Sequence, residues 1–178
     1  MWEADSRTLY QPWGTDVPPY RFSLPISNKA KTNVFYWIGS IWNNELNQGN
    51  IHEISELKKI LNSNGMVFRH IFPVPSSGLV KLTQRSALPL ALAGTWQVNS
   101  GYLPCRVFKN VSFGCLAMTN VLEFNDIFGG VISGSIPEMI DAYRSLPSKD
   151  LIDRIACQQE NNKKYTYFSM LENIFSLM

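Results

Sequence analysis

Residues 101–120, GYLPCRVFKNVSFGCLAMTN, decide the fold. Val107, Phe108 and Val111 follow the i, i+1, i+4 spacing of a helix face packed on a sheet, whereas Arg106, Lys109 and Asn110 fall elsewhere on the wheel. Ser112 and Gly114 break that pattern, and the small apolar run Cys115, Leu116, Ala117, Met118 leads to Thr119 and Asn120. The stretch predicts a helix, a glycine turn and a buried strand. It also predicts two cations, Arg106 and Lys109, on an accessible helix face about one turn apart, where both reach the same diphosphate or carboxylate. Hydrogen bonds to a charged acceptor contribute about 1.5–3 kcal/mol each, so two such donors decide whether an anion stays. The plainer reading of the same pair is a solvated helix face.

On the N-terminal side, residues 33–42, NVFYWIGSIW, open as a continuous apolar and aromatic run closed by Gly39 and Ser40. That pattern predicts the first, fully buried strand of a parallel sheet, with Gly39 and Ser40 at its C-terminal end, the edge where open α/β sheets bind ligands. Ile51, Ile54, Leu57, Ile60 and Leu61 have helical spacing, and Asn64-Gly65 reads as the end of that helix. Residues 66–72, MVFRHIF, form a second predicted strand, stopped by Pro73. Ser76 and Ser77 are candidate N-caps for a helix through Arg85, and residues 87–93 a third strand, weakened by Pro89. Trp96 and Gln97 fall in the loop that follows.

On the C-terminal side, residues 121–128 predict a short helix or turn, 129–132 a short strand, and 136–146 a helix with Pro137 near its start. Residues 150–159 and 165–177 predict two closing amphipathic helices. Strand and helix alternate four or five times, which predicts a Rossmann-like α/β domain over residues 33–178: a parallel sheet with helices on both faces and a helical C-terminus. Residues 1–32 mix Trp2, Tyr10, Trp13 and Tyr20 with five prolines or glycines nearby, and read as an irregular linker whose aromatics cover this domain or a neighbour.

The 178 residues suffice for one domain with a core, burying about 70 % of the unfolded surface. A composition of 45% hydrophobic and 12% aromatic residues argues against a disordered chain. The net charge of +2 is dispersed, without the basic run of a nucleic-acid arm. Three cysteines without CxxC spacing and two histidines offer little for a metal, and the cysteines read as small apolar fillers in a reduced compartment. Neither a basic-then-apolar leader nor a span-length apolar run is present, which sets a cytoplasmic location as the expectation.

The order of these segments is similar to a known family. WIGSIW, then helix, strand, helix and strand, then WQVNSGYLPCRVFKNVSFGCLAMTN and GGVISGSIPEMIDAYRSL, resembles the C-terminal, donor-binding half of glycosyltransferases built from two Rossmann domains, the GT-B architecture. The shared elements are the order and spacing, including Cys-Arg, apolar, aromatic, Lys-Asn ahead of a glycine and a Thr-Asn ending. The segment YQPWGTD also looks like the stretch that leads into such a domain. This resemblance implies a metal-independent transferase without a cofactor, whose ligand, a nucleotide-diphosphate sugar, lies across the C-terminal ends of the strands.

Arg106 and Lys109 would then hold the diphosphate and stabilise the leaving group, helped by backbone N–H groups around Gly114. Ser40 would face the phosphates or sugar, Thr119 and Asn120 would contact them from the next strand, and Gln97 and Tyr102 are further candidates. Two departures from the family pattern stand out. Lys109 occupies the position where many retaining enzymes of this architecture carry a ribose-binding glutamate. These residues also include no acceptor-binding half and no evident general base, so the expectation is a donor-binding fragment, one part of a split enzyme whose other part is a further domain or partner chain, or a relic that binds without turnover. Asp16, Glu45 and Asp126 are the acids nearest the candidate loops and read as caps or solvated residues. The alternative function is a non-catalytic interaction module. A dinucleotide-binding oxidoreductase ranks below both, because Gly39 stands alone where GxGxxG would follow the first strand.

Overall fold

Parallel strands need a crossover between them, and helices supply it along most of this chain. The computed structural model describes residues 14–27 and 32–176, together with the backbone of residues 2–3 and 8–9. The elements run β1 (Trp2–Glu3), β2 (Thr8–Leu9), a 3-10 turn (Pro19–Arg21), β3 (Val34–Ile38), α1 (Ile51–Ser63), β4 (Val67–Ile71), α2 (Ser76–Arg85), β5 (Leu90–Ala91) and α3 (Thr95–Asn99). They continue with α4 (Cys105–Ser112), β6 (Met118–Thr119), α5 (Phe124–Phe128), β7 (Ile132–Ser133), α6 (Ile136–Ser145), α7 (Ser148–Asn162), a 3-10 turn (Lys163–Tyr165) and α8 (Tyr167–Ser176). The molecule is an α/β protein with parallel-strand sheets.

The expected continuous sheet is divided. β3 pairs in parallel with β4, Val34 opposite Val67 through Ile38 opposite Ile71. Separately, β6 lies in parallel between β5 and β7. The two sheets touch near the start of β3, where Ala87 N donates to Val34 O at 2.8 Å and Tyr36 N donates to the Ser86 hydroxyl at 3.2 Å. Beyond that point they separate. The apolar run 87–93 is buried throughout, yet only Leu90 and Ala91 pair as a strand. Pro89 has no N–H for a ladder, so burial rather than pairing explains the run.

Side-chain size along the strands sets the layering. Leu90, Leu92, Leu116 and Met118 belong to one core with α1 (Ile54, Leu57, Leu61), α6 (Met139, Ile140) and α7 (Leu151, Ile155). Their neighbours Ala91, Ala93 and Ala117 face a second core with α4 (Val107, Phe108, Val111) and α5 (Phe124, Phe128). The alanine face lets α4 come close, and Phe108 fills the space beyond it with ring contacts to Phe124 (5.2 Å), Phe128 (5.4 Å) and Tyr165 (5.5 Å). Buried Gln158 ties α7 to the central strand region: its Oε1 accepts from Ala117 N at 2.9 Å and its Nε2 donates to Gly129 O at 3.1 Å.

Several boundaries differ from the sequence reading for physical reasons. α1 ends as expected: Gly65 adopts φ +71°, with Met66 N donating to Leu61 O and Gly65 N to Asn62 O. α2 begins one residue earlier than the serine caps imply, leaving Pro75 at the cap position. Trp96 and Gln97 lie in the short helix α3 rather than a loop. The strand expected at 129–132 pairs only at Ile132 and Ser133, because Gly129 and Gly130 take positive φ values. α7 is longer than expected, and Leu177 lies outside the described residues. Residues 1–32 are not wholly irregular, since β1 and β2 pair antiparallel. Tyr20 is 78% exposed and does not cover this domain, while the side chains of Trp2, Tyr10 and Trp13 lie outside the described residues.

Candidate functional site

The site is built where the two sheets part. β3 ends on Gly39, whose φ of +137° is open to glycine and strained for other residues. A Cβ there would collide with Nη2 of Arg106. The missing side chain therefore lets the Arg106 guanidinium lie against the end of β3, 4.0 Å over the ring of Trp37, which is buried in the first core. His70 Nε2 meets the Gly39 carbonyl at 2.7 Å and holds the glycine turn from the neighbouring strand.

Arg106 is thus half-buried and turned inward, not on the accessible face the helical wheel suggests. Its position beside the apolar stripe of α4 sends a long side chain under the strand end. Burial lowers its pKa to about 10, and the nearby Cys105 and Tyr102 act weakly in the opposite direction. Among the described residues Arg106 makes no ion pair with a carboxylate and no hydrogen bond; its guanidinium lies over the Trp37 face, with Cys105 and Tyr102 nearby. A cation desolvated without a counter-ion is costly in a folded protein.

Arg106 and Lys109 line one cavity of about 210 Å³ between β3, α2, the 86–90 segment and α4. Its walls are mostly apolar, from Ile38, Leu79, Leu88, Leu90 and Phe113, with Thr83, Ser86 and Asn110 as polar groups. Asn110 Nδ2 donates to Pro89 O at 2.7 Å and pins α4 to the cavity wall. Lys109 Nζ lies 3.2 Å from Asp16 Oδ1, in an ion pair whose acid is well exposed. Asp16 is therefore neither a cap nor merely solvated.

Other expected site residues are placed elsewhere. Gly114 (φ +77°) lies at the C-terminal end of α4 and packs under the backbone of Leu24, and its N–H donates to Val111 O. The N–H groups of Phe113 and Cys115 are likewise taken, by Lys109 O and Asn110 O, and a helix C-terminus repels anions. This turn therefore supplies no anion donors. Thr119 is fully buried, and its hydroxyl accepts from Val121 N at 3.3 Å. Asn120 bonds both the N–H and the carbonyl of Ala93 at 2.9 Å, fixing the ends of β5 and β6 together. Gln97 Oε1 accepts from Gly94 N, closing the first turn of α3. Ser40 is exposed, and its carbonyl accepts from Asn50 Nδ2 at 3.1 Å. Tyr102 is half-buried just ahead of α4; burial and the Cys105 thiol raise its pKa, against a smaller lowering from Arg106. The structure thus brings Arg106 and Lys109 together and leaves Gly114, Thr119, Asn120 and Gln97 in structural roles.

Of the cysteines, Cys105 lines the cavity, Cys115 is buried with its thiol pushed up to about 12, and Cys157 is exposed and so is not a core filler. No group of three or more His, Cys, Asp or Glu among the described residues is arranged to hold a metal ion. No helix among them is long and apolar enough to cross a membrane.

Away from the cavity lining, Glu53 ties α1 to the start of α3: its Oε1 accepts from Thr95 N at 2.7 Å and Thr95 Oγ1 at 2.6 Å. Burial works to raise the Glu53 pKa, but the Thr95 bonds, the Glu53 backbone N–H and the nearby His52 together hold the carboxyl below its ordinary value. Because the folded pKa is depressed, this contribution is present above the ordinary pKa near 4.5 and is lost as the pH falls through the folded value. Thr95→Val is expected to cost about 0.5–1 kcal/mol at pH 7 and to flatten the loss of stability as the pH falls below the ordinary carboxylate pKa near 4.5. Urea denaturation at several pH values checks this; an unchanged acid profile counts against the link.

The chain matches no family model, no curated protein and no solved structure.

Proposed function

We propose that the chain is a ligand-binding α/β domain whose Arg106 receives an anionic group, and that its specific form is the donor-binding domain of a GT-B glycosyltransferase that takes the diphosphate of a nucleotide sugar. One observation carries the reading. Arg106 is desolvated, without a counter-ion among the described residues, and lines a cavity together with a second cation. An uncompensated charge that is costly in the free protein is an economical explanation for a site completed by a ligand.

The topology supports the finer reading. Taken as one divided Rossmann-like sheet, the strands run in the order β4, β3, β5, β6, β7, and the order reverses direction between β3 and β5. That switch point is where open α/β sheets bind ligands. A cavity of about 210 Å³ is smaller than the ~300–1,000 Å³ of sites that enclose whole small molecules. In this reading it takes the charged part of the donor, with the nucleoside and sugar outside it.

The test is a thermal-shift series with UDP, GDP, ADP, CMP and their sugar conjugates, without metal. A ligand at about 100 times its Kd adds ~2.7 kcal/mol, and each kcal/mol moves Tm by roughly 2–4 °C at this size. A shift of several degrees with one nucleotide, lost in Lys109→Ala and Arg106→Ala, is the expected result. No shift with any of them contradicts the donor reading. The alternative, an interaction module, draws on a different feature: Phe168, Leu171 and Phe175 form an exposed apolar stripe along α8. Under that reading Leu171→Lys weakens a protein complex, while the cavity variants leave it unchanged.

A further inference from the structure

We propose that Asp16 sets which anions the cavity accepts, by occupying Lys109 as an internal anion. The inference rests on the reading of the cavity as an anion site and adds a selectivity residue that lies far from α4 in the sequence. Asp16 belongs to a strap, residues 14–27, anchored on both sides of that acid. Thr15 N donates to Tyr165 O and Tyr167 N to Thr15 O, each at 3.0 Å. On the other side Ser23 N donates to Ser112 O at 2.9 Å and Ile26 N to Gly114 O at 3.0 Å, while Gln159 Nε2 donates to Ser23 O at 2.7 Å. Between these anchors the Asp16 carboxylate reaches Lys109 Nζ at 3.2 Å.

The consequence is a matter of charge. With Asp16 in place, Lys109 is neutralised and the cavity presents one uncompensated cation, Arg106. A single phosphoryl or carboxyl group satisfies that arrangement through the planar guanidinium fork. A ligand with two linked phosphoryl groups needs Lys109 as well, and it must displace the Asp16 carboxylate to reach it. The acid is exposed enough to swing into water without disturbing the anchors on either side. Asp16 thereby favours ligands with one phosphoryl group over ligands with two, and its release opens the site to the second kind.

Isothermal titration of the full chain with inorganic phosphate and with pyrophosphate tests this. Asp16→Asn keeps the side-chain shape and removes the competing charge. It is expected to tighten pyrophosphate binding about two- to fivefold, the range that corresponds to an exposed ion pair, with a smaller gain for phosphate. The gain should vanish when Asp16→Asn is made in a Lys109→Met background. An equal gain for both probes, a gain that persists without Lys109, or no gain at all overturns the proposal. Failure of the underlying anion-site reading looks different: neither probe binds the wild-type chain, or binding is indifferent to Arg106→Met.

Discussion

Arg106→Met is expected to reduce anion binding by at least tenfold and to leave the unliganded protein as stable as the wild type, or more stable. The loss in binding follows from removing a charged donor that contributes about 1.5–3 kcal/mol. The stability side follows from the cost of the free state. A pKa lowered to about 10 by desolvation corresponds to roughly 3 kcal/mol against the charged form. Stacking on Trp37 returns about 0.5–2 kcal/mol. Methionine keeps most of the volume over the Trp37 ring and needs no counter-ion. The difference is a net gain of about 1–2.5 kcal/mol, or roughly 2–10 °C in Tm. Urea denaturation and titration of the same preparation check both halves. A loss of more than about 1 kcal/mol of stability would mean that Arg106 serves the fold, and the site reading would lose its main support.

Gly114→Ala is the most damaging single change expected outside the cores. The position combines φ +77° with a backbone contact, since a new Cβ would collide with the carbonyl oxygen of Leu24. The contact partner is main chain, so it cannot rotate away. Strain and displacement together are expected to cost about 2–4 kcal/mol, measured by urea denaturation. The change also has a functional signature. Leu24 belongs to the strap that positions Asp16, so a displaced strap frees Lys109 and tightens pyrophosphate binding in the manner of Asp16→Asn. Amide exchange should report faster opening at Ser23 and Ile26, whose N–H groups bond Ser112 O and Gly114 O. A stability loss below about 1 kcal/mol, with those amides still protected, would show that the strap does not depend on this contact.

The central helix was legible because its signal is local. Val107, Phe108 and Val111 repeat at helical spacing, and all three are fully buried against the second core. The alternation of strands and helices was legible for the same reason. Strand extents were not, because an apolar run reports burial and not pairing, as residues 87–93 demonstrate. The division of the sheet also left no local mark apart from Pro89.

The site was half legible. Residue type and spacing singled out Arg106 and Lys109, and the cavity joins them. The inward turn of Arg106 was hidden, because it depends on a glycine and a tryptophan on β3 and its exit. Gly39 after an aromatic strand was the available hint, since a missing Cβ marks a close approach. The Asp16–Lys109 pair is a long-range contact that no periodicity encodes. Thr119 and Asn120 drew attention by their place at a strand end, yet one is enclosed and the other is spent on Ala93. Polar residues at such an edge serve either ligand or fold, and sequence position alone does not separate the two.

The most direct test of the proposed anion site is an arginine side-chain NMR titration, following the Nε–Hε resonances while pyrophosphate is added to the full chain. The account predicts a saturable shift of the Arg106 resonance, assigned by its absence in Arg106→Met, with the other arginines little changed. Shifts confined to the other arginines, or no saturable shift at all, would contradict it.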